Sequence, residues 1–219
     1  AAKRLSVSLD SRPAMKGVAS AEAAALAAFR VTSLGDRVGA VVFSEQGIVE
    51  VRPQARDAAV RQILVEVVRQ NRLLKADGPP AVAGLLNEAL RRAARMANHD
   101  FLVCLISDTA GADGESARLL TNITAHNDAL VIFVHDPLEA DLPDIGRAVL
   151  AEGEQQIEVD LSARGLRRRF ADGFAGRRLT AQRFSLHHAI ATLSVSTEVD
   201  VAEQLREQLG RRLARRRAA

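Results

Sequence analysis

Short apolar runs alternate with helical periods along this chain, and the composition of those runs limits what it can fold into. Leu5–Leu9, Val38–Phe43, Phe101–Ile106 and Ala129–Val134 are each bounded by turn residues. Two of them, read as GAVVF and FLVCLI, show no polar alternation. A strand with one wet face alternates; a strand without alternation is covered on both faces, as in a parallel sheet. Ile48–Val51 follows Val38–Phe43 across the turn SEQG, so that pair reads as a hairpin with one antiparallel edge strand.

Helical periods fill the gaps. Ala19–Leu34 is rich in alanine and nearly uncharged, which predicts a buried helix. Ala58–Gln70 places Val60, Ile63, Leu64, Val67 and Val68 on one face, and Val82–Met96 repeats the pattern with Leu85, Leu86, Ala89, Leu90 and Ala93. Ser116–Ala125 is a shorter helix. Leu166, Phe170 and Phe174 lie four apart with arginines on the other faces. Ala191–Val195 reads as a last strand, and Val201, Leu205, Leu209 and Leu213 as the stripe of a closing helix. Strand–helix alternation with apolar strands implies an α/β sandwich built on a mostly parallel sheet. We divide the chain into an α/β domain over residues 1–160 and a basic helical extension over 161–219, packed on or continuing the same domain.

Charge is unevenly spread over the 219 residues. From Leu161 onward there are 13 arginines against five acids, while the remainder carries 17 basic and 22 acidic residues. A basic tail on an acidic body suits an acidic partner, docking on its own body, a solvated helix face, or phosphates. The terminal RRLARRR could bind nucleic acid by charge alone. The chain has no Trp or Tyr and seven Phe, so base stacking has little support and a protein partner is favoured. The single Cys104 rules out an internal disulfide and suggests a reducing, cytoplasmic setting; inside an apolar strand it should be inert. No uncharged apolar run reaches the length of a membrane span. The start, AAKRLSVSLD, lacks Met and an apolar signal core and reads as a cut from a longer protein.

In a sheet of this type ligands bind beyond the carboxyl ends of the strands. Asp10, Asp108 and Asp136 each follow a strand. Converging carboxylates can hold a hard cation; the competing reading is that they cap helices or hold turns, above all for Asp136, which precedes Pro137. A metal-dependent enzyme built on the three acids is therefore one alternative. No G-x-G-x-x-G, P-loop or G-x-S-x-G motif is present. His135 sits at a strand end without a visible nucleophile, and the adjacent His187 and His188 diverge on a helix.

LSVSLDSRPAM, a long Ala-rich helix, LGDRVGAVVFSE and FLVCLISD, in that order, resemble a von Willebrand factor type A domain. Further on, HDPLEADLPDIG, IEVDLSARGLRRRFADGF and ATLSVSTEVDVAEQLREQL resemble the bacterial domain-of-unknown-function fifty-eight family, DUF58. The resemblance implies a Rossmann-like three-layer sandwich and a metal-ion-dependent adhesion site of the form Asp-x-Ser-x-Ser, completed by a Thr and a second Asp. It also implies a non-catalytic interaction module working with a MoxR-type AAA+ ATPase in assembly or maturation of other proteins. The adhesion motif is degenerate: Arg12 and Ala14 stand at the serine positions, and no Ser or Thr lies between Asn71 and Arg95. Asp10 and Asp108 remain, too few oxygens for tight magnesium. We expect no cofactor, with Arg12 supplying the positive charge that pairs with Asp10 or Asp108. The expected partner-binding rim is Asp10, Arg12, Asp108 and Asp136.

Overall fold

The computed structural model describes residues 4–10, 14–45, 47–55, 57–73, 84–144, 146–152, 155–188 and 190–218. Six strands form the main sheet: β1 (Arg4–Asp10), β2 (Val38–Ser44), β3 (Gly47–Gln54), β4 (Phe101–Ser107), β5 (Asp128–His135) and β8 (Ala191–Ser196). Their order is β3-β2-β1-β4-β5-β8, and only β3 runs antiparallel to its neighbour. The fold class expected from the sequence is thus the one observed. Every residue of β2 is buried, which is why its sequence shows no alternation. Gly39 is needed there, because a Cβ would lie within 2.8 Å of Val51 O and Pro53 N across the hairpin.

Helices cover both faces. On one side α1 (Ala14–Ser33), α2 (Asp57–Arg72) and α7 (Val201–Ala218) pack on Ala40, Val42, Ile106, Ile132 and Val195. On the other side α3 (Leu85–Met96), α4 (Gly114–Thr124) and α6 (Arg164–His188) cover Val41, Phe43, Leu105 and Val131. Residues 161–219 thereby supply α6, the edge strand β8 and α7. A short α5 (Pro137–Ala140) follows β5.

Two expectations need correction. The alanine-rich helix is buried on one face only: Ala19, Ala23, Ala24 and Ala28 lie against the sheet, while Val18, Leu26 and Phe29 are exposed. The small side chains allow close approach on the inner face and leave the larger ones outside. The sequence reading also held no strand between 135 and 190, yet β6 (Arg147–Glu152) and β7 (Gln155–Asp160) form a separate antiparallel hairpin. Half of their residues are Ala, Glu or Gln, which carry little strand signal.

Candidate functional site

The strand order reverses between β1 and β4: the chain leaves β1 for α1 on one face, and leaves β4 for α4 on the other. That divergence opens the crevice at which folds of this order place ligands. Asp10 ends β1, level with Phe43 of β2, and Asp108 directly follows β4. The Asp10 side chain and all of Arg12 lie outside the described residues, so the expected Arg12 pairing is not among the contacts seen.

What fills the crevice is Lys16, from the first turn of α1. It is 6% exposed. Its Nζ donates to Asp108 Oδ2 at 2.8 Å and to Glu139 Oε1 at 2.7 Å. Glu139, on α5, also pairs with Arg177 of α6 at 3.0 Å. Two cations and two anions thus form a chain with no net charge. Asp108 is buried, and its other oxygen accepts the Ala110 N–H at 2.9 Å. Burial pushes the Asp108 carboxyl up, but the Lys16 charge and the hydrogen bonds outweigh it and hold the group below its ordinary value. Burial likewise works against the Lys16 ammonium, and Asp108 and Glu139 overcome it, so the lysine is held above its ordinary value.

The loop after β4 is built to present Asp108. Thr109 has φ 57°, a region costly for a β-branched residue. It is held there from both ends: its N–H donates to Ser107 Oγ at 3.0 Å, and its hydroxyl donates to Arg177 O at 2.9 Å. Strain of this kind persists only where the surroundings fix it.

Asp136 has a different task. Its Oδ1 accepts the Leu138 N–H at 2.9 Å as the N-cap of α5, in a capping box whose partner is Glu139. The cap sets the turn that brings Glu139 to Lys16. Asp136 therefore shapes the rim, and Leu138 beside it is 53% exposed.

The site does not suit magnesium through Asp108. Both of its oxygens are engaged, one by an ammonium and one by a backbone N–H, whereas this ion needs near-octahedral oxygen donors. Among the described residues no group of three His, Cys, Asp or Glu is placed to hold a metal ion. His135 stacks on Phe133 with ring centroids 5.5 Å apart and touches Phe174. Burial lowers its pKa, and its Nδ1 faces Ser194 Oγ at 3.4 Å, a distance outside normal O–H···N geometry. Cys104 is buried, its thiol pushed up to about 12 by desolvation. The side chains of His187 and His188 lie outside the described residues.

Sequence reasoning missed Lys16, Glu139 and Arg177. One local signal existed for the first. The chain has three lysines among 30 basic residues, and Lys16 stands alone in the first turn of a helix where the macrodipole disfavours positive charge.

A mostly parallel six-stranded sheet between two helical layers, its switch point closed by an ion-paired lysine, defines a Rossmann-like α/β protein. The chain belongs to the DUF58 family of proteins of unknown function, whose model matches residues 4–180. Among solved structures it is similar to BatB from Bacteroides thetaiotaomicron, a conserved hypothetical protein. Identity is 13% over 94% of this chain and 96% of that one, with a TM-score of 0.52, a likeness of fold. An aerotolerance-related membrane protein from Bacteroides fragilis aligns at 13% identity over 95% and 99% of the two chains, with a TM-score of 0.46. A von Willebrand factor type A protein from Catenulispora acidiphila aligns at 16% identity over 84% of this chain and 43% of that one, also at 0.46. No curated protein matches significantly. No described helix is long and apolar enough to cross a membrane.

Proposed function

We propose that this chain is a non-catalytic protein-interaction module of the cytoplasm whose strand-end rim docks a partner, a MoxR-type AAA+ ATPase, during assembly or maturation of other proteins. The ATPase comes from the family resemblance; the rim reading comes from the residues. One observation supports it: the buried Lys16 ammonium is paired at 2.8 Å with Asp108, the strand-end acid that the family resemblance makes part of a cation site. An ammonium forms hydrogen bonds but no coordination bond with a partner's acid, and two of its three N–H donors are already taken by Asp108 and Glu139. Recognition then falls to the rim's shape and exposed groups, with Leu138 as an apolar anchor.

The test is co-purification of the chain with the MoxR-type ATPase of its source cell, with crosslinks mapped by mass spectrometry. Crosslinks should cluster in residues 109–113 and 136–144, and Leu138→Asp should reduce capture several-fold. Capture that is indifferent to Leu138→Asp, with crosslinks on the opposite end of the sheet, would remove the rim from the interaction.

A further inference from the structure

We propose that the outer edge of β8 is a docking site for an extended, acidic segment of a partner protein, and that α7 holds the place of that segment in the free chain. The site is separate from the Lys16 crevice and does not depend on the reading given to it.

β8 pairs with β5 on one side only. Its other side would present a row of unpaired peptide groups, the usual template for strand addition. Here the row is served by side chains of α7. Gln208 Oε1 accepts the Ser194 N–H at 2.9 Å, and its Nε2 donates to Ser194 O at 2.6 Å. Gln204 repeats the pair on Ser196, at 2.9 Å for both bonds. Each glutamine amide thus donates and accepts as a peptide group of a neighbouring strand would. The spacing matches as well: four helical residues rise about 6 Å and two strand residues about 6.6 Å, so rungs 204 and 208 stay level with 196 and 194.

The third rung is incomplete. Arg212 donates to Thr192 O at 3.1 Å, but Thr192 Oγ1 is buried with no hydrogen-bond partner among the described residues. A cleft of about 490 Å³ opens there between α6 and the strand edge. Phe133 and Ala181 floor it, and Arg178, Gln182, Thr192 and Gln208 line it. Among the described residues no acid lines it, and Arg212 reaches over the same end. The helix is loosely held here: Val201 and Leu205 anchor its first half in the core, whereas Leu209, Gly210, Arg211 and Arg212 are exposed. An arriving strand can therefore take the Thr192 rung first and displace Gln208 next. The cations select an acidic segment, and with Phe133 buried as its floor the cleft offers a nucleic acid no exposed ring among its described lining residues.

The experiment is a fluorescence anisotropy titration of the full chain with a labelled peptide of alternating Val and Asp, and with its Val–Lys counterpart. Gln208→Ala removes the built-in competitor and should bind the acidic peptide about tenfold more tightly than the wild type does, the worth of the two lost hydrogen bonds. Adding Arg178→Glu should abolish that gain. Gln204→Ala is a second variant should Gln208→Ala melt early by circular dichroism. Unchanged affinity in both glutamine variants, equal binding of the basic peptide, or binding that survives Arg178→Glu would overturn the proposal. So would dimerisation of Gln208→Ala without peptide uptake, which would assign the edge to a second copy of the chain.

Discussion

Lys16 holds the crevice together through charge, and its removal is felt through what it leaves behind. Lys16→Met strands a buried carboxylate at Asp108, and breaking a buried pair in this way costs about 3 kcal/mol or more, whereas replacing both partners with apolar residues costs far less. Urea unfolding of Lys16→Met and of Lys16→Met with Asp108→Leu should show the single variant as the less stable of the two. The pH dependence follows from the two directions of shift. Asp108 is held low in the folded chain, so its contribution is full above the ordinary carboxylate range and fades as pH falls through the folded value. Lys16 is held high, so its contribution is full below the ordinary lysine value and is lost as pH rises through the folded one. The pair's own contribution should therefore be flat through neutrality and fall at both extremes, and Lys16→Met should reduce the alkaline fall, leaving the part that the Cys104 thiol, pushed up to about 12, adds.

At the scale of elements, local chemistry decided what could be read from the chain. The strands at Val38–Ser44 and Phe101–Ser107 were legible because burial on both faces leaves an unbroken apolar run. Asp136 read as a turn or cap residue from its place before Pro137, and it caps α5. The ion-paired crevice was not legible, because positions 16, 108, 139 and 177 come from four separate elements and no local pattern links them. Nor was the network that seats α4. Asp113 and Ser116 form its capping box, and the Ser116 hydroxyl donates to Asn87 Oδ1 of α3 at 2.5 Å. Ser116 is fully buried. Ser116→Ala should cost about 1–2 kcal/mol in thermal or urea unfolding, since it leaves Asn87 Oδ1 without that donor in the interior. A neutral result would mean that α3 and α4 are joined by their apolar contacts alone.

For the molecule as a whole, the sheet is the rigid support and the crevice is one polar seam beside it, along with the buried Ser116–Asn87 and Ser44–Gln70 pairs. Ile106, in β4 two residues before Asp108, is fully buried on the α1 side. Ile106→Ala should cost about 3–4 kcal/mol by leaving a cavity, and should lower stability without changing rim specificity in crosslinking. The proposed role of the rim requires that the protein's own lysine stand in place of a divalent ion. Isothermal titration of the intact chain with magnesium and with manganese measures this directly. The result predicted is no saturable heat in the wild type. Saturable binding that disappears in Asp108→Ala would contradict the account, because it would mean that Lys16 yields its place to a metal.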